Sequence, residues 1–491
     1  MNKSRLLFVI LALLFSAGLA AADQLYLNGL NEVSYIYRTA EDSLNSYFRD
    51  AFSFSFGYRD FTVGMKFLAE LPKYSTDQNQ LLGDLNSERL TTKWTECYAE
   101  FERDNLLLHG GTIAESFGSG MVFRAWEDLE FDTDTRLDGF LAKYGNKLKL
   151  KALYGALPNA AQPSKNDLAY GADAEYPLPE NVTLGATALT MRTLNPLGVY
   201  NQQDVWSGRI NFTQTMWEGG VEYAATSLFK NSGANRDGKA VNAFTNIYLK
   251  PNFVQALTLE AGYKYYRNFE YRLHDLKAFN YHNETLADNL PTGTDEEGLQ
   301  GAVIINVSDA LQGEINYAEA WNDAYSKRMN DFYAGLTWQQ DINNWLAEYG
   351  HIEKLDNAAD HWQKELKPAV SLSRPWGKSS LTLKAECDYT EKQTQDITHW
   401  YYEPYLQADW GKGKVGVSCL VKNHLDKTKA GFQGLTDATY WAACELKYAL
   451  YTHTDVTLFV GREAGGKVCR NGICRYVAPF QGVKLEATTR F

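Results

Sequence analysis

The densest run of chemistry-bearing side chains in this 491-residue sequence is 115–140, ESFGSGMVFRAWEDLEFDTDTRLDGF. It places Glu127, Asp128, Asp132, Asp134 and Asp138 beside Arg124 and Arg136. Carboxylates at this density can hold cations, move protons or line a polar passage. The spacing of Asp132, Asp134 and Asp138 fails the calcium-loop pattern, because Arg136 occupies a position that needs an oxygen ligand. The same stretch carries Met121, Val122, Phe123, Leu129 and Phe131. A solvated loop has no use for so many apolar groups. Gly118 and Gly120 allow backbone turns that a β-carbon would forbid. These features predict a loop that folds inward and packs, a constriction or inner gate. Its residues are Phe117, Gly118, Gly120, Arg124, Trp126, Glu127, Asp128, Asp132, Asp134, Arg136 and Asp138. A structured external loop or hairpin extension is the alternative.

Catalytic signatures do not emerge. There is no G-x-S-x-G elbow, and none of the eight histidines forms an H-E-x-x-H pair. His351 near Glu353 and His282 near Glu284 read as surface or lumen groups. No cofactor or metal is expected, and the chain is not expected to be an enzyme. The six cysteines are not a disulfide framework. Cys97, Cys387, Cys419 and Cys444 sit inside alternating segments, and the last three are expected to face lipid as small apolar thiols. Cys469 and Cys474 flank an Asn471-Gly472 turn signal in a polar stretch, and are expected to form a loop-tightening disulfide.

What must position these groups is written in the alternation. Residues 480–491, FQGVKLEATTRF, put Val483, Leu485, Ala487, Thr489 and Phe491 on one face and Lys484, Glu486, Thr488 and Arg490 on the other. Period-two alternation is a strand with one apolar and one polar face. The same rhythm marks 25–37, 47–58, 61–71, 91–101 and 106–114, and it continues to the end. Tight turns alternate with longer connections, including 192–203, 269–296 and 424–434. That is the grammar of an outer-membrane barrel, with short periplasmic turns and long external loops. About 24 strands are expected, within a range of 18–24.

The N-terminus carries Lys3 and Arg5, an apolar run from Leu6 to Ala20, and a small-residue site at Ala20-Ala21-Ala22. Residues 1–22 are read as a secretory signal peptide and 23–491 as the barrel. Only a residue or two would then precede the first strand, so no separate plug domain is expected. Without Lys3 and Arg5, the 48 Lys and Arg become 46 against 60 Asp and Glu, a net of −14. That excludes a nucleic-acid partner, which needs a basic surface. The mean hydropathy of −0.39 looks soluble, but membrane barrels look the same, since half of each strand faces water.

The segments FGSGMVFRAWED and DTDTRLDGF resemble an uncharacterised outer-membrane β-barrel family, a domain of unknown function met in Bacteroidetes-like bacteria. The opening YRTAEDSLNSYFRDAFSFSFGYRDFTVGMKFLAE and the closing VCRNGICRYVAPFQGVKLEATTRF are similar as well. The resemblance implies a barrel in the outer membrane, and it implies no chemistry. The terminal Phe491 resembles the signal such barrels present to their assembly machinery.

The expectation is an all-β chain, a transmembrane antiparallel barrel in contact with outer-membrane lipid. A porin-like channel for small polar solutes is the leading function. A docking barrel whose long external loops, such as 269–296, bind a partner is the alternative.

Overall fold

The computed structural model describes residues 25–39, 46–71, 91–128, 133–160, 162, 164–195, 198–227, 237–286, 293–357, 360–394, 397–426, 439–470, 473–477 and 479–491. Residues 1–22, expected to be a signal peptide, and Asp132 lie outside them. So do the side chains of Asp128, Cys469 and Cys474.

Twenty-four antiparallel strands form one sheet, each paired with its neighbours in sequence. The sheet closes where Leu25–Arg38 pairs with Phe480–Arg490. The last rung is complete: Gly29 N–H donates to the Phe491 carbonyl at 2.8 Å, and Phe491 N–H donates back at 3.0 Å. Closure matters because a spanning sheet with a free edge would leave backbone groups unpaired in hydrocarbon. Tight turns cluster at one end, where Arg59, Asp104 and Asp341 adopt left-handed backbone angles, and the longer connections lie at the other.

The two faces are inverted relative to a water-soluble sheet. In the strand Tyr200–Thr213, the outward Trp206 and Ile210 are 53% and 44% exposed. The inward Val205, Ser207 and Arg209 are 2%, 4% and 6% exposed. Apolar groups outside and polar groups inside suit a wall between lipid and water. The lumen charges brace one another across strands, as in Lys264–Glu296 and Lys484–Glu463, and along a strand, as in Lys384–Glu386.

Three expectations need correction. Cys419 and Cys444 are not separate thiols. They lie opposite each other on adjacent strands with Cα atoms 4.2 Å apart, joined in a cross-strand disulfide. That spacing belongs to a non-hydrogen-bonded antiparallel pair, the arrangement that brings side chains closest. Asp138 does not enter the lumen. It sits on the strand Leu137–Gly145, exposed, on the outward face with Phe140, and accepts the Thr112 hydroxyl at 3.1 Å. The connection 269–296 is not an external loop, because its described part folds into the barrel.

Around Asn471-Gly472 the chain forms a two-stranded hairpin, Gly466–Arg470 with Ile473–Val477. Its register sets the backbones of Cys469 and Cys474 opposite each other.

Candidate functional site

Two connections fold into the lumen. The first leaves between Leu106–Ile113 and Leu137–Gly145, strands of 8 and 9 residues, the shortest in the wall. Because these strands stop early, the chain turns inward below the height its neighbours reach. It forms a small hairpin, Glu115–Phe117 with Phe123–Ala125. Gly118 and Gly120 make the turn at φ +54° and +89°, values open to glycine at no steric cost. Phe117, Met121, Val122 and Phe123 are completely buried. They pack with the inward residues Leu153, Leu157, Leu189, Met191 and Val205.

The second connection, 268–294, supplies Phe269 and Leu273 to the same core. The Tyr271 hydroxyl donates to the Val122 carbonyl at 2.7 Å. Arg124 N–H donates to the Leu273 carbonyl at 2.8 Å, and Asp275 N–H donates to the Gly120 carbonyl at 3.1 Å. The Arg124 guanidinium pairs with Asp275 and lies 3.9 Å from the Trp126 ring centroid. At about 1.5–3 kcal/mol for each fully buried large apolar side chain, the apolar core outweighs this half-exposed pair, worth about 0–1 kcal/mol.

The plug is seated on charge. Arg209 is held by Asp173 at 2.8 and 2.9 Å, by Glu175 at 2.9 Å and by Thr187 at 2.9 Å. Gly118 lies against its guanidinium. The Ser119 hydroxyl donates to Glu222, which also receives the Ser207 hydroxyl at 2.8 Å. Glu115 binds Lys143 and Lys151 of the wall. Burial alone would raise the Glu115 carboxyl, yet the Lys143 ammonium, the Ser116 N–H and Lys151 hold it below the usual carboxylate range.

A second small hairpin, Glu127–Asp128 with Thr133–Asp134, ties the plug to the opposite flank. Glu127 meets Lys66 at 2.8 Å. Arg136 is a buried hub, bound to Glu96 at 2.8 Å, Asp134 at 2.9 Å and Glu127 at 3.1 Å. Burial opposes ionisation of Asp134, but its Arg136 bonds win and hold the carboxyl low.

The far end of 268–294 reaches the wall through three residues. Tyr281 stacks on Tyr333 with centroids 3.4 Å apart, and His282 pairs with the fully buried Asp331 at 2.7 Å, not with Glu284. Glu284 instead takes Lys354 at 2.7 Å. His274 packs edge-on to Tyr271 at 4.7 Å, and its Nε2 is shut off from solvent without a hydrogen-bond partner. Burial pushes this imidazole down to about 4, so it is neutral at pH 7.

The result is a partition. The eight strands from Leu137–Gly145 to Ala256–Arg267 are covered on the inside by the plug. Across the lumen, strands from Asn343–Asp356 to Thr454–Glu463 line a pocket of about 510 Å³ that no described residue fills. Of the residues expected to form an inner loop, Phe117, Gly118, Gly120, Arg124, Glu127, Asp134 and Arg136 are brought together in the plug or its ties. Trp126 is there too, with its indole partly exposed. The contribution of 268–294 was not anticipated. Phe269, Tyr271, Leu273 and Leu276 are the signal that could have revealed it, by the same reasoning applied to 115–140. Among the described residues, no group of three or more His, Cys, Asp or Glu side chains is arranged to hold a metal ion.

Residues 1–331 match a family of unknown function, DUF6029. The chain belongs to this family. The match takes in the plug hairpin and the whole of the second connection, 268–294. It covers the first two-thirds of the chain and stops short of the closing hairpin and final strand. No curated protein matches this DUF6029 chain.

Among solved structures, a chain of the E. coli P pilus tip assembly intermediate PapC-PapD-PapK-PapG is similar, with TM-score 0.56 and 8% identity over 95% of this chain. The protein spans 60% of the length of that chain. The siderophore receptor PirA from Pseudomonas aeruginosa gives TM-score 0.49 at 10% identity, over 96% of this chain and 80% of that one. The P pilus usher (PapC) translocation pore gives 0.49 at 7%, over 95% and 99%. At these identities the likeness is one of fold: this DUF6029 protein has the architecture of outer-membrane β-barrels.

Proposed function

We propose that this protein is an outer-membrane channel for small polar solutes, narrowed by its own two-loop plug. The observation that carries the reading is the partition. The plug covers one arc of the wall with an apolar core, and among the described residues nothing fills the opposite arc, which carries polar and charged side chains. A barrel built only as a scaffold gains nothing from an open, charged arc. Solutes pass along the strands between 343 and 463, and the plug sets the aperture. The inverted faces support residence in a bilayer, and Phe491 serves as the signal to the assembly machinery. The reading assigns no catalytic step.

The docking alternative loses its main carrier, since the described part of 269–296 is packed in the lumen. The test is reconstitution in planar bilayers and in liposomes. Steady conductance and swelling in small polar solutes are expected, with larger conductance after Gly118→Leu unseats the plug. A folded barrel that stays closed in both forms would sink the channel.

A further inference from the structure

The unfilled arc has a definite chemistry. In register, Glu386 faces Tyr405, Tyr405 faces Lys422, and Lys422 faces Trp441, so these four form one row across adjacent strands. Neighbouring strands are about 4.8 Å apart, which sets the two aromatic positions roughly 10 Å from each other. Both rings line the 510 Å³ pocket and both are half-buried. This volume falls in the range of ligand sites, about 300–1,000 Å³.

The two lysines beside the rings are already matched. Lys384 meets Glu386 at 2.6 Å, and Lys422 meets Glu403 at 2.8 Å. Of the three other carboxylates of the pocket, Glu463 meets Lys484 at 2.9 Å and two take neutral donors. Asp409 accepts the Gln407 amide at 2.9 and 2.8 Å, and Glu348 accepts the Tyr333 hydroxyl at 2.9 Å. An anionic solute would have to break one of the ion pairs to gain a cation, and the Asp409 and Glu348 carboxylates, which meet no cation among the described residues, would repel it. A neutral molecule faces neither cost. Carboxylates and amides retain free lone pairs for hydroxyl donors, and an aromatic face accepts the apolar C–H face of a sugar ring.

We propose that this pocket is a subsite for a neutral, hydroxyl-rich solute, a short oligosaccharide, with Tyr405 and Trp441 as stacking platforms for successive rings. The inference deepens the channel reading by naming its substrate class, and it rests on that reading for transport but not for binding.

The test uses the full-length barrel folded in detergent and checked by heat-modifiable migration. Binding is followed by calorimetry, with maltotriose and cellotriose as neutral probes and trigalacturonate as the charged one. At least one neutral trisaccharide is expected to bind at least tenfold more tightly than trigalacturonate. Tyr405→Ala and Trp441→Ala should each weaken it by tenfold or more, while Tyr405→Phe and Trp441→Phe, which keep a ring, should recover most of the loss. Failure of both neutral probes to bind, equal binding of trigalacturonate, or alanine variants that bind normally would each overturn the subsite. Binding without conductance would remove the channel and leave the subsite standing. Conductance without trisaccharide binding would do the reverse.

Discussion

Gly118 lies flat against the guanidinium of Arg209. A β-carbon built on Gly118 would stand 2.7 Å from Nη1, 2.8 Å from Cζ and 2.9 Å from Nε. Arg209 cannot retreat, because Asp173, Glu175 and Thr187 hold it on its other edges. Gly118 also has a left-handed backbone angle, +54°. A larger residue here should therefore lift the hairpin from its seat and leave the wall intact. Gly118→Leu is expected to raise single-channel conductance with unchanged heat-modifiable migration. Unchanged conductance would show that the hairpin does not restrict passage.

The plug should depend on its apolar core more than on its ion pair. Phe117→Ala or Phe123→Ala removes a fully buried ring, at a cost of about 3–5 kcal/mol to the seated state. Arg124 and Asp275 are one-third and nearly half exposed, so breaking their pair should cost less than about 1 kcal/mol. Limited proteolysis within 114–136 should be strongly accelerated by either Phe variant and barely changed by Arg124→Ala. The opposite ranking would mean that the charged contact holds the loops together.

Acid should loosen the plug. The buried His274 stays neutral in the seated loop down to about pH 4, whereas an unseated loop would titrate near the ordinary histidine value, about 6.5. Between those values the unseated form binds more protons, so the seated form loses stability as pH falls. The contribution is complete above about pH 6.5 and gone once pH passes below about 4. Open probability should rise across that window, and His274→Phe should flatten the rise. A wild-type profile already flat from pH 7 to 4 would refute this role.

The disulfide between Cys419 and Cys444 closes a segment of 25 residues, for which the chain-entropy account gives about 3–4 kcal/mol. Peptide mapping without reductant should recover this pair. Cys419→Ser should lower the temperature at which the barrel loses its compact migration. Cys97, exposed on the outward face, should react with a lipid-soluble maleimide and resist a charged one. Rapid labelling of Cys97 by the charged reagent would invert the assigned faces.

The wall was legible in the sequence because its signal is local. Val483, Leu485 and Ala487 alternate with Lys484 and Glu486, and nothing distant is needed to read two faces. The 24-strand architecture followed from turn and loop rhythm. The inward fold of 115–140 could be suspected because its apolar content was wrong for a solvated loop. Its partner was missed because Tyr271 and Asp275 meet partners about 150 residues earlier in the chain, and no periodicity encodes that. Cys419 and Cys444 were missed for a related reason. Alternation reveals which face a residue takes but not which residue lies opposite, since register depends on the length of the intervening turn. Asp138 was placed with the plug because charge density ran on past the point where the wall resumes.

The partition also makes the wall mechanically uneven. From Leu137–Gly145 to Ala256–Arg267 the strands are backed by close-packed side chains on the lumen side, while among the described residues no such packing backs those from 343 to 463. A hoop braced along one arc yields along the other when squeezed. Lateral pressure from the bilayer would then flatten the unbraced arc first, which is the arc bearing Tyr405 and Trp441, so the stiffness of the surrounding membrane would act directly on the shape of the proposed passage.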